Sequence, residues 1–157
     1  MKNNMIYYKI GNKLFDTQLV NLFLTKLFYN GKKSKSDTLF LKTLIMIQNL
    51  SVNTSINPIS ILIKAIENSK PYIEVQSIRI AGTTYRVPVE INKTRQYSLA
   101  MRWLIESARR RSEKTMSLKL AKEIFETANN NSTNTLKKKE EMHKMAEASR
   151  AYINYRW

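Results

Sequence analysis

The sequence predicts a mainly α fold, a six-helix bundle with a protruding two-stranded β-hairpin between helices 3 and 4. Three observations carry this. Only three glycines and three prolines occur in 157 residues, too few for a turn-rich all-β fold. Apolar residues make up 43% of the chain, enough to bury a core rather than remain disordered. The apolar period is helical as far as Pro71, alternates over residues 72–90, and becomes helical again beyond. Residues 16–157 read as one helical domain, and residues 1–15 as an N-terminal extension.

The first helix is expected over Gln18–Tyr29, capped by Asp16 or Thr17 and closed by Gly31 in a left-handed C′ position. Leu19, Val20, Phe23, Leu27 and Phe28 share its buried face. The second begins near Ser36-Asp37 and runs to Leu50, with Phe40, Leu44, Ile47 and Leu50 inside. Asn57-Pro58 starts the third, a capping side chain followed by proline at the first helical position. Ile59, Leu62, Ile63 and Ile66 form its stripe, and Pro71 follows its end.

Residues 72–80 and 83–90 read as two strands joined by a two-residue turn, Ala81-Gly82. That turn pairs Ile80 with Thr83, Arg79 with Thr84, Ile78 with Tyr85 and Ser77 with Arg86. Arg79 and Arg86 then project from the same face, and a one-residue slip would separate them. Pro88 cannot donate to a ladder, so the ribbon has no further strand beside it there. A lone hairpin is barely stable in water, so its base must rest on helices. The fourth helix spans about 93–111, the fifth about 115–127 and the sixth about 135–152, with a polar loop at 129–134. Leu136, Met142, Met145, Ala146 and Tyr152 are the packing residues of the sixth.

The formal charge is +15, and all nine arginines lie at or beyond Arg79. A chain this basic points to a polyanionic partner, nucleic acid first and an acidic membrane surface second. Arg95, Arg102 and Arg109 recur every seven residues on the fourth helix, a slowly drifting stripe roughly 20 Å long. Tyr97, Met101, Leu104, Ile105 and Ala108 occupy its other side, while Arg110, Arg111 and Lys114 extend the patch past the helix end. Glu106 offsets part of this charge. Guanidinium forks meet phosphate oxygens bidentately, which lysine does not. Lys32, Lys33 and Lys35 follow the first helix in a loop. Lys137, Lys138 and Lys139 open the sixth, where cations oppose the helix dipole, a destabilising placement that points to function; Glu140 and Glu141 soften it. Trp103 reads as core. Trp157, beside Tyr155 and Arg156, can stack on a base or a neighbouring protein, or fold back as an anchor.

The uncharged stretch 43–63 contains Gln48, Asn49, Ser51, Asn53, Thr54, Ser55, Asn57 and Pro58, so it reads as parts of two core helices around a polar loop and not as a membrane span. Residues 1–11 show neither a secretory nor a transit pattern. No cysteine exists for disulfides or thiol chemistry. His143, the only histidine, forms a single Glu-x-x-His unit with Glu140, whereas di-metal bundles need two. It reads as a surface histidine touching backbone or phosphate. No glycine-rich phosphate loop or nucleophile elbow is present, so neither enzyme nor cofactor is expected. The wealth of Asn, Ile and Lys fits translation from an AT-rich genome.

Val75-Gln-Ser-Ile-Arg-Ile-Ala-Gly-Thr-Thr-Tyr-Arg-Val-Pro-Val-Glu90, Ala100-Met-Arg-Trp-Leu-Ile-Glu-Ser-Ala-Arg-Arg-Arg-Ser-Glu-Lys-Thr-Met116, Lys138-Lys-Glu-Glu-Met-His-Lys-Met-Ala-Glu-Ala148 and Tyr155-Arg-Trp157 resemble bacterial-type small-subunit ribosomal protein seven. Leu27-Phe-Tyr-Asn-Gly-Lys-Lys-Ser34 extends the likeness forward, so that it covers nearly everything from about Asp16. The resemblance implies six helices with a hairpin between the third and fourth. It implies binding to the 3′ major domain of small-subunit rRNA, nucleation of head assembly, and a hairpin and last helix near the exit-site tRNA and the mRNA path. By resemblance, Lys32, Lys33, Lys35, Arg95, Arg102, Arg109, Arg110, Arg111 and Lys114 contact rRNA. Arg79, Gly82 and Arg86 sit on the hairpin near exit-site tRNA and mRNA. Lys137, Lys138, Lys139, His143, Arg150, Arg156 and Trp157 supply contacts of the C-terminal helix. Ribosomal proteins nine and eleven are the implied neighbours. Unlike the family, this chain has no arginine-rich arm at its front: residues 1–14 carry only Lys2, Lys9 and Lys13. The expectation is a structural protein of the mitochondrial ribosome, with a plastid ribosome or the bacterial cytoplasm as alternative settings. An extra-ribosomal RNA chaperone or regulator is the rival function.

Overall fold

The computed structural model describes residues 14–51 and 57–155. Six α-helices and one hairpin follow in the expected order. They are α1 (Leu14–Leu27), α2 (Lys33–Leu50), α3 (Pro58–Ser69), β1 (Ile73–Ile80), β2 (Thr83–Glu90), α4 (Lys93–Arg110), α5 (Met116–Ala128) and α6 (Asn134–Ala148). A short 3-10 helix, Arg150–Tyr155, follows α6.

The core is built from one apolar stripe per helix. Phe23 of α1 meets Phe40 of α2 with ring centroids 5.9 Å apart. Phe23, Ile47, Leu62, Ile66, Met101, Leu104, Leu120 and Ile124 are buried almost completely, each worth roughly 1.5–3 kcal/mol of transfer free energy. Leu120, Ala121, Ile124 and Ala128 place α5 against α2, α3 and α4. The small residues let backbones approach. Asn68 of α3 closes the far end of α5 by donating from Nδ2 to the carbonyls of Thr127 and Ala128, at 3.0 and 3.2 Å.

Asn57 and Pro58 begin α3 as expected, the Asn57 side chain accepting from the Ile59 N–H at 3.0 Å. Other boundaries moved. Helix α1 starts at Leu14, so Asp16 and Thr17 lie inside it. It stops at Leu27 because Asn30 (φ 54°) and Gly31 (φ 71°) both turn left-handed. Phe28 is therefore exposed rather than buried. Helix α2 begins three residues before Ser36, with Lys32 as its uncapped N-cap. Lys33 and Lys35 thus stand on a helix and not in a loop. Leu50, at the last position of α2, is 41% exposed although it fits the stripe. Part of the polar loop between α2 and α3 lies outside the described residues.

The hairpin has the expected register throughout, from Ile73↔Glu90 to Ile80↔Thr83. Ala81 (φ 48°) and Gly82 (φ 86°) supply the two left-handed residues that a tight, twist-matched turn requires. At its base Val87, Pro88 and Ile91 are buried. Farther out, Tyr85 packs against Tyr152 and Tyr155, each 5.3 Å away by ring centroid. This packing accompanies the largest departure from expectation: α6 ends at Ala148, four residues before Tyr152. The chain then tightens, Tyr152 donating its N–H to the Ser149 carbonyl at 3.0 Å. Met145, expected in the core, is 42% exposed.

Candidate nucleic-acid interface

Helix α4 sorts its residues by face. Met101, Trp103, Leu104, Ile105 and Ala108 are buried, and Arg102 and Arg109 stand exposed on the outside. Trp103 is therefore core, as expected. Among the described residues, Arg102, Arg109 and Lys114 make no ion pair with a carboxylate. They are cations held in place by a buried scaffold.

The rest of the basic segment is partly engaged. Arg95 donates Nε to both oxygens of Glu74 at 3.0 and 2.8 Å, tying α4 to the hairpin base while staying largely exposed. Arg110 reaches Glu106 one turn back at 2.8 Å. That exposed pair is worth only about 0–1 kcal/mol, so a phosphate can compete for Arg110. Lys138 of α6 takes the other oxygen of Glu106 at 2.7 Å. The bond from Lys138 holds the Glu106 carboxyl below its usual range.

Arg111, expected to grip phosphate with its neighbours, faces protein acids instead. Its Nη1 donates to Glu123 at 2.7 Å and to Glu126 at 2.9 Å, and its Nη2 to the other Glu126 oxygen at 2.9 Å. Its Nε points to Glu113 at 3.2 and 3.3 Å. Hydrogen bonding, above all to Glu126, raises its pKa despite partial burial. Sequence reasoning missed these carboxylates. A signal existed: acids are scarce here, yet three of the chain's twelve fall at 113, 123 and 126.

On the hairpin, Arg79, Gly82 and Arg86 are exposed, and the register puts both arginines on one face. Among the described residues neither has a carboxylate partner. Lys32, Lys33 and Lys35 cluster, exposed, at the start of α2. At the other end of the molecule Lys137 and Arg150 are exposed, whereas Lys139 turns inward. Its Nζ donates to the Asn68 carbonyl at 2.6 Å and lies 5.8 Å from the Tyr72 ring centre. Burial, with the charge of Lys70 second, lowers the Lys139 pKa. His143 accepts the Tyr72 N–H through Nε2 at 3.3 Å, a backbone contact, one of the two kinds expected for it. Burial first, and Lys139 second, push its pKa down. Arg156 and Trp157 lie outside the described residues.

No cluster among the described residues has three His, Cys, Asp or Glu side chains placed to hold a metal ion. Nor is any described helix long and apolar enough to cross a membrane.

The family model for Ribosomal protein S7p/S5e matches residues 3–150. The chain belongs to this family. The match reaches farther forward than the expected limit near Asp16. Family membership makes the chain a ribosomal protein, structural and not enzymatic. It is 45% identical over 148 residues to small ribosomal subunit protein uS7 of Maridesulfovibrio salexigens, covering 94% of this chain and 92% of that one. Against the protein of the same name from Rhodopseudomonas palustris it is 43% identical over 143 residues, 91% and 89% of the two chains. Against that of Blochmanniella floridana it is 41% identical over 148 residues, 94% and 92%.

Proposed function

We propose that this S7p/S5e-family chain is a constituent of the small ribosomal subunit, where it binds the 3′ major domain of the rRNA and nucleates assembly of the head. The observation that carries the reading is the exposed set Arg102, Arg109 and Lys114, without a carboxylate partner among the described residues, on a helix with a buried inner face and its outgoing segment. Binding there is electrostatic and geometric. Each cation that meets a phosphate releases condensed counterions. A rigid bundle recognises the shape of folded RNA more than its base sequence. Arg110 joins this surface from its exposed pair, Arg95 with the exposed part of its side chain, and Lys32, Lys33 and Lys35 widen it from α2.

The hairpin, with Arg79 and Arg86 on one face and Gly82 at its tip, reaches toward exit-site tRNA and mRNA. Lys137, Lys138, Arg150, Arg156 and Trp157 contribute from the C-terminal end, where proteins nine and eleven are the neighbours. The ribosome is mitochondrial in this reading, on the strength of the Asn-, Ile- and Lys-rich composition.

Replacing Arg102 and Arg109 together by Ala is expected to weaken binding to a transcript of the 3′ major domain. It should also flatten the dependence of log K on log salt by roughly 0.7–0.9 per lost phosphate contact. Filter binding across a salt series measures both. An unchanged slope rejects this face as the rRNA surface.

A further inference from the structure

Arg111 sits one residue past α4, and all three nitrogens of its guanidinium donate to carboxylates. It joins the α4–α5 connector through Glu113 and the body of α5 through Glu123 and Glu126. The chain of bonds continues. Glu123 is buried almost completely, and its second oxygen accepts the Thr135 hydroxyl at 2.6 Å and the Thr135 N–H at 3.4 Å. Thr135 belongs to the first turn of α6, just ahead of Lys137 and Lys138. One cation thereby fixes three segments that carry phosphate-facing charges: the end of α4 with Arg109 and Arg110, the connector with Lys114, and the start of α6.

The electrostatics agree. Glu123 is a buried carboxylate, and leaving one without a cation and hydrogen bonds is strongly destabilising; Arg111 and Thr135 supply both. Around Arg111 three acids face two bases, since Lys122 also approaches Glu113 at 3.5 Å. The local charge is negative, which no phosphate would choose. We propose that Arg111 is a positioning residue and not a phosphate ligand: with Glu123 and Glu126 it aligns the cations of α4, the connector and α6 on one RNA-binding surface. The assignment rests on the rRNA-binding reading above.

Its consequence has an unusual sign. Removing a negative charge from a protein ordinarily favours a polyanion. Glu123→Gln is expected to do the reverse, because it breaks the clamp. Arg111→Lys keeps the charge but loses the planar fork. Each variant is expected to bind a 3′ major domain transcript roughly three- to tenfold more weakly, and the double variant about as weakly as the worse single one. The salt slope of Arg111→Lys stays that of the parent, since no phosphate contact is lost. Binding is measured by filter assay below the onset of unfolding, set for each variant by circular dichroism. Glu126→Gln, at a less buried partner, is expected to show the same direction and serves if Glu123→Gln does not fold. Variants that are folded and bind as tightly as the parent, or Gln variants that bind more tightly, overturn the positioning role while leaving rRNA binding intact. A parent chain that fails to bind the transcript overturns both.

Discussion

Arg109, Arg110 and Arg111 are consecutive and chemically identical, yet they end in three environments. An α-helix turns about 100° per residue, so neighbours point in different directions and meet different partners. Arg109 faces outward with no carboxylate partner among the described residues, Arg110 lies over Glu106, and Arg111 leaves the helix to meet three acids. His143 shows the same dependence on surroundings. Its Nε2 accepts a backbone N–H, so the fold favours the neutral ring, and burial and Lys139 hold its pKa below the ordinary 6.5. A folded-state value below the unfolded one means the unfolded chain binds more protons in that window. The contribution to stability is therefore complete above 6.5 and is lost as pH falls through the folded value. Thermal melts between about pH 5 and 8 are expected to show a falling melting temperature on the acid side. His143→Gln, whose amide oxygen can accept the same N–H without titrating, should flatten that limb. An unaltered limb in the variant would assign the pH dependence to other groups. At this scale the sequence was legible for residue type and face. It was not legible for partners: Glu123 and Glu126 lie 12 and 15 positions from Arg111, and only the packing of α5 beside the end of α4 brings them there.

Elements whose signals are local could be read almost residue by residue. The hairpin register follows from one dipeptide, because a two-residue turn leaves a single pairing that keeps Val87 inside and both arginines together. The start of α3 follows from Asn57-Pro58 for the same reason. Elements that end through tertiary contact could not. Nothing in Glu147-Ala-Ser-Arg-Ala-Tyr152 breaks a helix, yet α6 stops at Ala148 and the tyrosines beyond it pack on Tyr85. The hairpin also contains a local cost. Ala81 adopts φ 48°, a conformation that disfavours alanine, while Gly82 adopts its own without penalty. Asparagine tolerates that region and is favoured with glycine in this turn. Ala81→Asn is expected to stabilise the ribbon by about 0.5–1 kcal/mol. Slower amide exchange at Ile78, Ile80 and Tyr85, with the register unchanged, is the measurement. Faster exchange would show that the tip resists the substitution for another reason.

At the scale of the whole molecule, 12 carboxylates offset only part of 27 lysines and arginines and leave a net +15. Among the described residues, several ion pairs join one element to another. Arg95–Glu74 holds the hairpin base to α4, Lys138–Glu106 holds α6 to α4, and Arg111 joins α4, the connector and α5. The cations left over, Arg79, Arg86, Arg102, Arg109 and Lys114 among them, repel one another whenever RNA is absent. Two effects of added salt then compete in the free protein. Screening weakens the exposed pair at Arg110, worth at most about 1 kcal/mol, and reaches the Arg95–Glu74 pair less, because Glu74 is buried. Screening also relieves the repulsion among many like charges, which acts over distances near the Debye length of about 10 Å at 0.1 M. The Arg111 cluster, with Glu123 buried, responds little to either. Repulsion is the larger sum, so the melting temperature of the RNA-free protein is expected to rise between about 0.05 and 0.5 M monovalent salt. A bound transcript should raise it too at low salt, through mass action on the folded state, and that second increment should shrink as salt weakens binding. A melting temperature that falls with salt in the free protein would mean that its ion pairs outweigh its excess charge. The exposed arginines would then be part of what keeps the bundle folded, and the separation between a scaffold and the cations it presents would fail.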